Sequence, residues 1–206
     1  SIGLIGISSV ALSSCSLTGY YDDKKYGIID TAGTWIIKPK FGWISHPVKG
    51  LCMAFLSRDD DSLRGIVDLS GRWVIEPKWK RTGGFSELDY FGAQDAESGL
   101  WGIARKDGSW QVEPYLVGKG GFSYLEANKD FSAIGTFNSH TQRAKAYDAA
   151  SDLWGFIDGS GKWVVKPFTK EINYVGDDEI YAASPVDSAL YGLIDIEGSW
   201  IAEPKF

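Results

Sequence analysis

The sequence is poor in the residues on which most enzymes and metal sites depend. Its 206 residues include two histidines, two cysteines and one methionine. Because His46, His140, Cys15 and Cys52 do not have the spacing of zinc ligands, we expect neither a metal nor any other cofactor. A nucleophile and base pair of Cys52 and His46 is less favoured than a buried thiol and a surface imidazole. The chain is therefore not expected to be an enzyme.

Clustered positive charge is also missing. The formal net charge is −6, and the lysines and arginines are scattered rather than gathered in a stripe. Nucleic acid is not an expected partner, because phosphate binding requires a basic face. The acidic runs at 22–23, 59–61 and 177–179 lack the pattern of a calcium-binding EF-hand loop, and we interpret them as solvated turns.

Glycine and aromatic residues are abundant instead. The chain has 25 glycines, nine tryptophans, ten tyrosines and ten phenylalanines. Such a composition is typical of tight turns between aromatic-rich strands, and it predicts an all-β fold.

One spacing of four residues repeats along the chain. It reads Gly, five residues, Gly, one residue, Trp, three residues, Pro, and about 0.004 chance occurrences are expected at this composition. Five copies are present, with 38, 37, 53 and 37 residues between their first glycines. The sequence therefore predicts a tandem array of five modules. The repeat positions are Gly27, Gly33, Trp35, Pro39; Gly65, Gly71, Trp73, Pro77; Gly102, Gly108, Trp110, Pro114; Gly155, Gly161, Trp163, Pro167; and Gly192, Gly198, Trp200, Pro204.

Each repeat position has a mechanical reason, which the first copy illustrates. Asp30 suits the start of a type I turn, and Gly33 is expected to hold the positive φ that follows it. The missing side chain of Gly27 would let the ring of Trp35 lie close to the backbone. Pro39 has no N–H and is expected to end hydrogen bonding on the return strand. The pattern thus predicts a β-hairpin.

A third strand completes each predicted module. Runs such as 51–55 and 180–183 follow the hairpins and have the composition of strands. Both odd and even positions of the hairpin strands carry apolar residues, which indicates that both faces of each sheet are covered. Neighbouring modules are expected to provide this cover. The predicted boundaries are 26–63, 64–100, 101–153, 154–190 and 191–206. A propeller-like ring, closed by residues 16–20 as an extra strand, and an open β-solenoid fit this pattern equally well.

The residues that open the modules carry a family resemblance. The chain resembles the WG-repeat proteins, in which Trp-Gly or Tyr-Gly opens each module, as at Trp101-Gly102, Trp154-Gly155, Tyr26-Gly27 and Tyr191-Gly192. The resemblance implies a bacterial β-repeat protein that acts as an interaction module. Arg64 in place of an opening aromatic and Arg105 in place of the turn aspartate depart from the pattern, so we expect those modules to close less tightly.

The segment 115–153 is about 16 residues longer than its counterparts. Insertions in repeats usually form loops on one face of the array. A functional interpretation makes this loop part of a binding site, with Phe131, Phe137, Asn138 and His140 as candidate contacts. The alternative is a tolerated surface excursion.

The N-terminus resembles a bacterial lipoprotein signal. Residues 2–12 are apolar and uncharged, and Leu12-Ser13-Ser14-Cys15 resembles a lipobox. On this interpretation residues 1–15 are the signal segment, 16–25 are a tether or extra strand, and Cys15 carries the lipid that forms the only membrane contact. Cys52 is expected to be a buried thiol outside any intramolecular disulfide. The alternative is that residues 2–12 form a buried strand of the first module.

These patterns favour a non-catalytic scaffold of the bacterial cell envelope that binds a protein partner, as an outer-membrane lipoprotein facing the periplasm or the surface. The aspartates Asp30, Asp68, Asp158 and Asp195 recur in four modules, as turn residues do and catalytic residues do not. Two alternatives stay open: a glycan-binding or glycan-acting envelope protein, and a periplasmic inhibitor of a toxic enzyme.

Overall fold

The computed structural model describes residues 25–59, 61–118, 133–175 and 179–206 of the chain, and its regular structure is entirely β-strand. The all-β tandem array predicted from the sequence is confirmed. Within these ranges there is no helix of the length and hydropathy that crossing a membrane requires. The strands are β1 (Tyr26–Ile29), β2 (Trp35–Phe41), β3 (Trp43–Ile44), β4 (Leu51–Phe55), β5 (Arg64–Asp68), β6 (Trp73–Thr82), β7 (Tyr90–Asp95), β8 (Leu100–Arg105), β9 (Trp110–Val117), β10 (Arg143–Asp148), β11 (Leu153–Asp158), β12 (Trp163–Tyr174), β13 (Tyr181–Pro185), β14 (Gly192–Ile194) and β15 (Trp200–Ala202).

Within each of three sheets, every strand pairs only with strands adjacent to it in the sequence, and every pair is antiparallel. β1 and β2 form a two-stranded sheet, β3 to β9 form a seven-stranded sheet, and β10 to β15 form a six-stranded sheet. In the described part of the chain β1 pairs only with β2 and β15 only with β14, so no ring is closed. The segment 16–20, considered as a closing strand, lies outside the described residues.

The turn chemistry predicted from the sequence is confirmed. All five second glycines of the repeat have positive φ, between 77° and 90°. Asp30 Oδ1 accepts hydrogen bonds from the backbone N–H groups of Ala32 at 2.9 Å and Thr34 at 2.8 Å. The turn that starts at Arg105 was expected to be looser, but it has the same backbone hydrogen bonds as the others, at 2.8 and 3.0 Å.

The role predicted for the repeat proline is wrong in four modules. Pro39, Pro77, Pro114 and Pro167 lie inside β2, β6, β9 and β12, and these strands continue past them. The reason is a bulge in the pairing. In module 2, Ile66 pairs with Ile75 and Arg64 pairs with Trp79, so three residues centred on the proline face one glycine. A proline is tolerated there because a bulge requires no ladder hydrogen bond from it.

The first glycine of the repeat is required by this bulge. A Cβ on Gly65 would lie 2.5 Å from the carbonyl oxygen of Ile75 and 2.8 Å from the nitrogen of Pro77. It would also lie 2.9 Å from the ring of Trp73, as predicted for the ring over the glycine. The other four repeat glycines make the same close approach to the return strand.

The long return strands of modules 2 and 4 are each shared between two partners. The first half of β6 pairs with β5, and its second half, from Trp79 to Thr82, pairs with β7. β12 divides in the same way between β11 and β13. β2 and β3 make up the equivalent strand of module 1, interrupted at Gly42. The third strand of each module then pairs with the first strand of the next.

The described residues form a core of four clusters in a row, and each cluster is completed by the module that follows. The cluster around Ile28 and Phe41 packs against Trp73, which belongs to module 2. Trp110, Trp163 and Trp200 pack in the same way against the clusters that precede them. The cover that the sequence assigned to neighbouring modules is thus supplied by the repeat tryptophans.

Three hydrogen bonds, which we call the clasps, reinforce these junctions. In each clasp the residue after the repeat proline donates to the turn-glycine carbonyl of the next module. The donors are Lys40 Nζ to Gly71 at 2.7 Å, Lys78 Nζ to Gly108 at 3.0 Å, and Tyr115 Oη to Gly161 at 2.7 Å. The fourth junction has Phe168 at this position, which carries no donor.

Module 3 builds its return strand from two separate pieces. β9 ends at Val117, and the missing half is supplied by the residues around Ile134, which forms a bridge with Ala146. The same pairing of isoleucine with alanine occurs at Ile44 with Ala54 and at Ile172 with Ala183. The additional residues of module 3 therefore separate the first half of its return strand from the second half.

Candidate functional site

In three modules the residue after the repeat tryptophan is an exposed apolar side chain. The side chains of these return strands alternate, so the tryptophan faces the core and the next residue faces solvent. Val74, Val164 and Ile201 occupy this position with 49%, 38% and 54% of their surface exposed. We call the five equivalent positions the outer row: Ile36, Val74, Gln111, Val164 and Ile201. Ile36 and Gln111 are half-buried, and Ile36 packs against the core cluster around Ile28.

Charged residues flank the outer row two positions further along each return strand, and all of them are exposed. The surface therefore alternates between β-branched apolar side chains and charges of both signs. An apolar position that recurs on the solvent side is the kind of surface that marks a contact site. The flanking residues are Lys38, Glu76, Glu113, Lys166 and Glu203.

In its middle, the outer row enters an open groove between modules 3 and 4. The groove has a volume of about 820 Å³, and Gln111 and Val164 are among its lining residues. Gln111 Nε2 donates to the carbonyl oxygen of Gly159 at 2.5 Å, which joins the two modules across the floor. His140 and Arg143 add polar groups on one side.

A second, smaller depression, which we call the cleft, lies where modules 2, 3 and 4 meet. Its volume is about 460 Å³. Glycine allows close packing beside it, because a Cβ on Gly84 would lie 1.9 Å from Thr136 Oγ1 and one on Gly135 would lie 2.9 Å from Lys145 Cγ. The lining residues are Thr82, Gly83, Gly84, Gly135, Thr136, Asn138, Lys145, Tyr174 and Tyr181.

Two tyrosines form one wall of the cleft. Tyr174 is 58% exposed, and its ring meets the buried ring of Tyr181 edge to face at 5.6 Å. Burial, followed by the charge of Glu179, raises the pKa of Tyr181 to about 12, so its hydroxyl stays protonated at neutral pH. Lys145 Nζ donates to the carbonyl oxygen of Ile172 at 3.2 Å.

The candidate contacts of the long segment that the structure describes divide between core and surface. Phe131 lies outside the described residues. Phe137 is 1% exposed and packs edge to face on Tyr90, so the structure places it in the core rather than on a contact surface. Asn138 closes a turn by accepting from the N–H groups of His140 and Thr141, and it also lines the cleft. His140 is exposed in the groove.

The remaining reactive residues are separated from these surfaces. Cys15 lies outside the described residues, and Cys52 is fully buried in the first core cluster. His46 is exposed in the loop after β3. Within the described ranges, no three histidine, cysteine, aspartate or glutamate side chains gather as a metal site would require.

Sequence reasoning missed the cleft tyrosines and Thr136. Tyr174 stands beyond the repeat spacing, at the end of the long strand β12, and Thr136 belongs to the segment that replaces half a strand. The sequence signal that could have identified Tyr174 is an aromatic residue that has no position in the repeat pattern.

Three segments of the chain match the family model described as WG containing repeat. The matches cover residues 26–56, 65–96 and 154–167, and they support a WG-repeat protein. They fall on modules 1, 2 and 4. A search of curated proteins gave no match.

Proposed function

We propose that this chain is a non-catalytic interaction scaffold that binds a protein partner along the outer row. The observation that carries the proposal is the recurrence of exposed Val74, Val164 and Ile201 at one position of three modules. Buried apolar area at such a row would supply affinity, and the flanking charges would supply orientation.

The groove between modules 3 and 4 supports the same proposal. Interfaces combine an apolar centre with a polar rim, and Val164 has His140 and Arg143 beside it in the groove. We place the centre of the contact here.

A pull-down with matched variants tests the partner. Tagged protein is incubated with a bacterial envelope extract, and retained proteins are quantified. We expect one stoichiometric partner, lost from Val74→Asp and Val164→Asp because each buries a charge in the contact. Val117→Asp is the control, since Val117 is exposed but lies outside the outer row. A partner that binds all four proteins equally would contradict the proposal.

We also propose that the scaffold is held at the envelope by a lipid on Cys15, after removal of the residues before it. The support is the apolar run and lipobox-like sequence. Expression of the full gene in a Gram-negative host, with the mass and membrane partition of the mature protein as readouts, tests this. Recovery of protein that retains residues 1–14, or membrane partition unchanged in Cys15→Ser, would contradict the anchor.

The absence of catalysis is a separate part of the proposal. An activity screen on peptidoglycan and polysaccharide substrates is expected to give no turnover. Hydrolysis that one acidic-residue variant abolishes would overturn the scaffold function.

A further inference from the structure

We propose that the cleft between modules 2, 3 and 4 is a binding site for a neutral saccharide of one or two pyranose rings. This proposal is independent of the protein partner on the outer row, because the cleft shares no lining residue with that row. Its volume of about 460 Å³ falls within the ~300–1,000 Å³ usual for ligand sites.

The exposed ring of Tyr174 provides the surface on which a sugar could stack. Tyr174 is held at the end of β12 by its edge contact with Tyr181. An exposed aromatic face buries the C–H face of a sugar ring, and the phenol oxygen beside it can exchange hydrogen bonds with sugar hydroxyls.

The polar groups of the cleft suit hydroxyl ligands. Among the described residues, no other group hydrogen-bonds to the hydroxyls of Thr136, Tyr174 or Tyr181. Asn138 uses its side-chain oxygen in the turn at 2.7 and 2.9 Å, which leaves its side-chain nitrogen as a donor. Donors and acceptors are therefore both present, as a polyhydroxylated ligand requires.

The backbone argues against a phosphate ligand. Glycine-rich loops bind phosphate through backbone N–H groups that point at the anion. Here the N–H of Gly83 donates to the carbonyl of Gly92 at 2.7 Å, and that of Gly135 donates to the carbonyl of Lys145 at 2.9 Å. These glycines serve close packing, and their N–H groups are already used.

The backbone also argues against a bound peptide strand. Strand addition needs free backbone groups on an edge, and Lys145 Nζ already donates to the carbonyl of Ile172 in β12. Tyr174 itself is already paired with Tyr181 of β13. The cleft is thus better suited to a compact ligand than to an extended chain.

Isothermal titration of the protein with cellobiose and with N,N′-diacetylchitobiose tests the proposal. We expect at least one of them to bind, with Tyr174→Leu weakening the affinity about tenfold or more and Thr136→Val about fivefold. Both positions are exposed, so the fold should tolerate these changes. Phe206→Leu, an exposed aromatic outside the cleft, is the matched control and should leave the affinity unchanged.

Tyr174→Phe separates the ring from its hydroxyl, because it keeps the stacking face. We expect it to lose less affinity than Tyr174→Leu. Absence of binding by both disaccharides at about 10 mM would overturn the proposal. Binding that survives both Tyr174→Leu and Thr136→Val would also overturn it, because the sugar would then lie elsewhere.

Discussion

Modules 2 and 3 build the same unit in different ways. In module 2 one unbroken strand, β6, pairs first with β5 and then with β7. In module 3 β9 supplies only the first half, and the residues around Ile134 supply the second. Both modules close their turns with equivalent backbone hydrogen bonds and complete the preceding core with a tryptophan. The module therefore forms whenever residues occupy both halves of the return strand, even if the two halves are not continuous in the chain.

Valine in place of the first repeat glycine of module 2 or module 3 is the strongest test of whether these two modules are equally tight. Gly65→Val and Gly102→Val should each destabilise the protein by about 3 kcal/mol or more, because the Cβ would overlap backbone atoms that cannot move aside. Urea unfolding measures the loss.

Gly99→Ala is the control for these variants. Gly99 has a φ of +70° but nothing within 4 Å of its Cβ position, so only backbone strain is added. We expect a loss of about 1 kcal/mol. A loss at Gly102→Val no larger than this would mean that the hairpin of module 3 is looser than that of module 2.

The substitute strand can be compared directly with a continuous one. Ile134→Ala in module 3 and Ile172→Ala in module 4 remove equivalent buried side chains, and each should cost about 3 kcal/mol in the free energy of unfolding. Ile201→Ala, on the surface, should cost less than about 0.5 kcal/mol. If Ile134→Ala behaved like the surface variant, the inserted residues would not be part of the core.

The clasps offer a weaker comparison between the two modules. Lys78→Met and Tyr115→Phe each remove one hydrogen bond to the following turn, and we expect about 1 kcal/mol from each in thermal or urea unfolding. Lys80→Met is the control, because Lys80 is an exposed lysine of the same strand. Equal stability of Lys78→Met and Lys80→Met would show that the clasp in module 2 contributes nothing.

The smallest difference concerns the turn carboxylates and pH. Hydrogen bonds from Ser70 and Arg72 hold the pKa of Asp68 below its ordinary 3.8, and Ser109 does the same for Asp107 in module 3. Because both folded-state pKa values are depressed, the stabilisation is fully present above about pH 4 and is lost as pH falls through the folded-state pKa.

Carbon-13 NMR titration of the two carboxyl groups checks this expectation. Both resonances should titrate below pH 3.8, and Asp68→Asn should identify the signal of Asp68 by removing it. Titration of Asp107 at or above 3.8 would mean that the hydrogen bonds from Ser109 do not stabilise its carboxylate.

The hairpins were predictable because their chemistry is local. Aspartate followed by glycine three residues later specifies the turn in four modules, and the spacing of glycine, tryptophan and proline located the fifth turn at Arg105. The proline was misinterpreted because its place depends on pairing across two strands: without the register, a residue that cannot donate indicates a strand end as readily as a bulge. The sequence could not reveal the cleft, since Gly84, Thr136 and Tyr174 meet only when three modules stack.

The strictly sequential pairing of the strands has a consequence for synthesis on the ribosome. Low contact order favours rapid folding, because few long loops must close first. Each hairpin can pair as soon as it emerges, but its apolar cluster stays incomplete until the next tryptophan arrives. We therefore expect each module of the nascent chain to complete its core only when the next hairpin has been synthesised. At any moment a single incomplete core would then be exposed to chaperones.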